Sequence, residues 1–121
     1  MSPLVWVGVA CLGAVGALLR FFVDATVSGR VGRGLPFGTL IVNVSGAFVF
    51  GLLIGVGLTG TRLLLAGTAT LGSYTTFSTW MFETQRLSEE GEFLGAAGNL
   101  VISVAVGLGA AVLGRLLGRH L

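Results

Sequence analysis

The chain has 121 residues, 54% hydrophobic and 10% charged, with a formal charge of +2. A soluble domain carries about a quarter charged residues, so this composition, with a mean hydropathy of +0.96, places the chain in a membrane. No surface interleaves basic and aromatic residues, which excludes a nucleic-acid role, and the single cysteine, Cys11, excludes a disulfide framework or a Cys/His metal site.

Charge-free windows run over residues 2–19, 34–61, 63–82 and 93–114. Each supplies the ~17–25 residues that a transmembrane helix needs. We therefore expect an all-α membrane protein that is a single domain, 1–121, with spans over about 2–20, 35–59, 63–83 and 93–114. The first window lacks a basic leading region and a small-residue cleavage site, and we read it as a retained span. The connections are read as Phe21–Arg33, Thr59–Arg62 and Arg86–Glu92.

The first span ends at Arg20, which either snorkels to the headgroups or serves a pathway. In the second, helical spacing puts Thr39 and Asn43 on one face. An amide at bilayer depth is either glue between helices or a donor aimed at a ligand. Gly51 and Gly55 are four apart on this span, as are Ser103, Gly107 and Ala111 on the last. Such stripes serve packing within one bundle or between subunits.

The third span departs most from an ordinary membrane helix. Its second half, from Gly72 to Glu83, carries Ser73, Tyr74, Thr75, Thr76, Ser78 and Thr79. Unpaired polar groups in hydrocarbon each cost several kcal/mol, so these hydroxyls face protein or a polar pathway. Gly72 and the β-branched pair Thr75-Thr76 are also poor helix formers. We expect a helix interrupted near its middle, with carbonyls freed there. On the last span Asn99 and Ser103 share a face, and Asn99 lies near the span's start, where interfacial water could solvate it.

The expected span interiors hold no Lys, His, Asp or Glu, so a proton relay has no seat. His120 lies beside the C-terminus, far from a nucleophile, and no phosphate-cradling motif occurs. Catalysis is not expected. The remaining groups are neutral donors: amides, hydroxyls and the positive edges of aromatic rings. Such donors suit an anion that must be desolvated without being trapped. Freed carbonyls near Gly72 and Thr75 suit a small cation instead. With four spans, Arg62, Arg115 and Arg119 share one side, against Arg30, Arg33 and Arg86 on the other. That balance gives the positive-inside rule almost nothing to act on. There is no internal repeat, so inverted symmetry would have to come from a second chain.

Residues Gly13–Arg20, Pro36–Gly46 and Gly72–Glu83, in this order, resemble the Fluc/CrcB family of fluoride channels. With the last span, the resemblance covers essentially the whole chain. It implies an antiparallel, dual-topology homodimer in a prokaryotic-type cell membrane, with two pores that export fluoride passively. It also implies a structural sodium ion at the dimer centre, held by the main-chain carbonyls of Gly72 and Thr75. Carried over likewise are Asn43 as a pore donor, Phe77 as a ring edge meeting fluoride, and Ser78 and Thr79 as a hydroxyl track. Arg20 matches an arginine at the pore mouth, and Asn99 and Ser103 match the polar side of the last helix. Trp80 stands where the family has a second phenylalanine. Its indole keeps a positive edge and adds an N–H donor. Two other readings are a small drug/proton antiporter, which wants a carboxylate that residues 2–19 lack, and a non-transporting scaffold whose polar residues are glue.

Overall fold

A computed structural model describes residues 1–32 and 34–121. Arg33, counted above among the loop arginines, lies outside the described residues. The described chain is helical throughout: α1 (Pro3–Val31), α2 (Phe37–Gly55), α3 (Gly60–Leu63), a π-helical segment (Leu64–Leu71), α4 (Gly72–Tyr74), α5 (Ser78–Glu89) and α6 (Phe93–Arg119). By length and composition α1, α2 and α6 can each cross a membrane. The segments from α3 to α5 form a fourth, broken rod.

Helix α1 starts on a Ser2 hydroxyl that accepts from the Val5 N–H at 3.3 Å, with Pro3 in the first turn. It does not stop at Arg20. Phe21, Phe22 and Val23 continue an apolar helix, and Asp24 and Ser28, one turn apart, are joined by a 3.3 Å hydrogen bond. The first true terminator is Gly32, at φ +109°, whose N–H closes on the Ser28 carbonyl. The expected connection 21–33 is therefore mostly helix, because a charge is not a helix breaker. At ~1.5 Å per residue, the 29-residue helix is about 44 Å long. Arg20 and Asp24 thus lie within α1, Asp24 beyond the expected span end at residue 20. Helix α6 likewise runs past residue 114 to take in Arg115 and Arg119.

Helix α2 is the central element. Of its most apolar stretch 28% is buried, against 6% for α1 and for α6, and among the described residues Val42 is the large side chain with no exposure at all. Its principal partner is α6, and the two meet through glycine. A Cβ on Gly51 or Gly55 would strike the carbonyls of Ala111 or Arg115, and one on Gly114 would strike the Phe48 carbonyl. The Gly51/Gly55 stripe therefore serves packing within the bundle. Helix α6 answers it with Ala111, Gly114 and Gly118, whereas Gly107 has no neighbour there. Such contact lets backbones approach as close as membrane helices allow. On the other flank, Gly16 of α1 sits against the Thr70 carbonyl of the π-helical segment.

The π-helical turns have one visible support: the Thr70 hydroxyl donates to the Leu65 carbonyl, five residues back, at 2.7 Å. At the far end, Arg86 Nη2 donates to the Gly34 carbonyl at 2.8 Å. That contact sets the end of α5 beside the α1–α2 connection, as four alternating spans require. Outside these contacts, α1 and α6 present rows of exposed Leu, Val and Phe. In a membrane this surface meets lipid or protein.

Candidate functional site

The break lies at Thr75–Phe77, between α4 and α5. Thr75 leaves the helix in an extended conformation (φ −79°, ψ 162°). Its N–H and its hydroxyl both donate to the Leu71 carbonyl, each at 2.9 Å, which ends the preceding helix. The next residue would return its N–H to Gly72. Instead, Thr76 N–H donates to Asn43 Oδ1 at 2.8 Å, and Asn43 Nδ2 donates to the Thr76 carbonyl at 2.9 Å. One amide side chain on α2 thus satisfies both main-chain groups of the residue at the break. The Gly72 carbonyl is left without its helical donor.

Thr76 then starts the next helix. Its hydroxyl accepts from the Thr79 N–H at 3.2 Å, so it caps α5. The same oxygen lies 3.2 Å from the Thr79 hydroxyl and 3.4 Å from that of Ser78. Three hydroxyls therefore cluster at the N-terminus of α5, where unpaired N–H groups and the helix dipole favour negative charge. Tyr74 closes the other side of the break through a 2.8 Å hydrogen bond to the Ser45 hydroxyl.

Two concavities flank the break. A polar pocket of about 230 Å³ is lined by Arg20, Asp24, Thr39, Thr76 and Thr79, with Ala17, Phe21 and Val42. Arg20 reaches from it to donate to the Thr75 carbonyl at 3.3 Å, so this arginine has a specific partner at the break. An open concavity of about 370 Å³ includes Asn43, Gly72 and Thr75, with Gly46, Phe50 and Thr68 among its walls. Asn43 and Thr75 therefore touch one hollow while their hydrogen-bond partners line the other.

Phe77 projects outward, 70% exposed, and stands edge-to-face with Trp80 (centroids 5.9 Å apart, planes at 82°). Trp80 Nε1 donates to the Asn99 carbonyl on α6 at 3.1 Å. The Asn99 side chain is buried, not solvated at an interface, and donates to the Thr84 hydroxyl at 2.9 Å. Ser103 lies apart from the break, in an apolar groove of about 550 Å³ that Asn99, Phe37, Leu40 and Ile102 also line. The structure thus gathers Arg20, Asn43, Gly72, Thr75, Phe77, Ser78, Thr79 and Trp80 around one break and leaves Ser103 outside it. Asp24 and Ser45 near the break, and Thr84 beside Trp80 and Asn99, are polar residues that sequence reasoning did not single out. The Arg20–Asp24–Ser28 spacing of four was the available signal for Asp24. Thr84 carried none.

The family described as CrcB-like protein, Camphor Resistance (CrcB), matches residues 7–115. The chain belongs to the CrcB family. Three relatives are similar over nearly their full length. "Fluoride-specific ion channel FluC 2" of Mycolicibacterium paratuberculosis is 55% identical over 92% of this chain and 91% of its own. The protein of the same name from Mycobacterium bovis is 49% identical over 95% and 91%. "Fluoride-specific ion channel FluC" of Geobacter metallireducens is 46% identical over 95% and 97%. As a CrcB protein with helices able to cross a bilayer, the chain is a multi-pass membrane protein and not an enzyme.

Proposed function

We propose that this protein is a passive fluoride-selective channel, working as an antiparallel, dual-topology homodimer. The observation that carries the reading is the break itself. Asn43 holds it open, three hydroxyls crowd the α5 N-terminus, and Phe77 stands exposed beside Trp80. Neutral donors and ring edges replace an anion's hydration shell without binding it too tightly to leave. Arg20, in the polar pocket, draws the anion toward Thr79 and the break. The free N–H of Asn43 and the hydroxyls of Ser78 and Thr79 continue the path, with Phe77 and Trp80 beside it; Ser103 lies off this path, in the apolar groove on α6. The names of the relatives support fluoride as the ion.

The second copy is argued from exposure and charge. Phe77 is too apolar and too exposed to end in water, and the near-even arginines favour neither orientation. The hollow with Gly72 and Thr75 on its wall, between α2 and the broken rod, is open rather than enclosed. Carbonyl oxygens are hard ligands that fit a small hard cation such as sodium; the Gly72 carbonyl lacks a helical partner, and the Thr75 carbonyl, which already accepts from Arg20 at 3.3 Å, keeps a second lone pair for an ion. Two carbonyls are too few to enclose an ion, whereas a two-fold axis there would present four. A structural sodium ion at the dimer centre would then fasten the two copies together.

The test is efflux from liposomes loaded with fluoride or with chloride. Purified protein should release fluoride and retain chloride, and Phe77→Ile should abolish release while the dimer persists. Vesicles that kept their fluoride would refute the proposal. Uptake of an organic cation driven by a pH gradient would point to an antiporter instead.

A further inference from the structure

Trp80, Thr84 and Asn99 form a closed ring of hydrogen bonds between α5 and α6. Trp80 Nε1 donates to the Asn99 carbonyl at 3.1 Å, Asn99 Nδ2 donates to Thr84 Oγ1 at 2.9 Å, and Thr84 Oγ1 donates to the Trp80 carbonyl at 2.9 Å. An indole has a single donor and no acceptor, so Trp80 has no polar group left for a passing ion. Asn99 is only 9% exposed. Without water to exchange with, a hydrogen bond at membrane depth is exchanged only for another protein partner. The ring therefore fixes the plane of the indole. Phe77 stands against that plane at 82°, and it is the more exposed ring of the pair.

We infer that Trp80 is a positioning residue rather than an anion ligand through its N–H. Thr84 and the Asn99 side chain hold α6 where the Asn99 carbonyl meets the indole, and the indole in turn holds the angle of Phe77. This deepens the channel reading and rests on it. The indole is useful here because it does what a phenylalanine cannot: it ties the aromatic pair to a neighbouring helix.

Two measurements test it on the full-length protein. The first is fluoride efflux in a double-mutant cycle. Thr84→Val should slow fluoride release by about three- to tenfold, the range for one hydrogen bond between membrane helices. Thr84→Ser, which keeps the hydroxyl, should restore it. In a Trp80→Phe background, Thr84→Val should add less than about twofold, because the chain of contacts is already cut. Independent, multiplying losses would mean that Thr84 acts only on general stability, and the inference would fail. The second measurement follows the indole N–H proton by NMR in a Trp6→Phe protein, where Trp80 is the remaining tryptophan. Its resonance should be slow to exchange, should stay in place as fluoride is added, and should move on Thr84→Val. A fluoride-dependent shift in a conducting protein would make the N–H an ion ligand and overturn the positioning role alone. Parent vesicles that held their fluoride would overturn the channel reading, and the positioning role with it.

Discussion

Replacing Asn43 with leucine removes both hydrogen bonds that hold the break, at 2.8 and 2.9 Å, while keeping the number and branching of side-chain heavy atoms. Interhelical hydrogen bonds in membranes are each worth about 0.6–2 kcal/mol, so the pair contributes about 1–4 kcal/mol to the broken conformation. The Thr76 N–H then has an obvious alternative, since the Gly72 carbonyl has no helical donor and can accept it and continue the helix, in competition with the proposed sodium. Taking about 2 kcal/mol, the open break becomes about thirtyfold less populated relative to the closed helix. Fluoride efflux from liposomes should fall by a similar factor, and the Thr76 amide should become more protected against hydrogen exchange. Asn43→Asp keeps an acceptor for the Thr76 N–H and loses the donor to its carbonyl, so it should retain more of the break than leucine does. Parent-level efflux from an intact Asn43→Leu dimer would refute this account of what keeps the span broken.

Arg20→Leu should lower fluoride flux severalfold, with the larger loss at low ionic strength where the arginine's field reaches furthest; an unchanged flux at all salt concentrations would remove it from the pathway. Gly114→Val should cost about 1–3 kcal/mol by forcing α6 off the Phe48 carbonyl, read as a lower melting temperature in detergent with no change in ion selectivity. Exchanging sodium for a bulky organic cation should shorten the dimer's lifetime, measured by subunit exchange, if Gly72 and Thr75 hold the ion. A single cysteine at Glu92, in a Cys11→Ala background, should be labelled by an impermeant reagent from both sides of the membrane in nearly equal amounts. Labelling from one side alone would exclude dual topology.

The interruption of the third span was legible because hydroxyls and a β-branched pair in a membrane helix leave few alternatives. Its mechanism was not. Asn43 pairs with the main chain of Thr76, 33 residues away, and every residue offers the same N–H and C=O. Trp80 and Asn99 are hidden for the same reason, since the acceptor is a backbone carbonyl rather than a distinctive side chain. The length of α1 was misjudged because charge was taken as a boundary. In a small bundle an arginine can be met by a freed carbonyl, as Arg20 is by Thr75. The π-helical turns leave no clear mark in residue type, and only the Thr70 hydroxyl hints at them afterward.

The seam between α2 and α6 also limits how this protein can move. Glycines spaced by four on each helix mesh with the opposite main chain like the teeth of two combs, and a slip of one residue would drive a side chain into a space with no room for it. No rotamer change can ease such a fit, so the two helices travel as one stiff plank. Any motion that accompanies ion passage must then be taken up by the broken rod and by α1, which touch that plank through side chains able to yield.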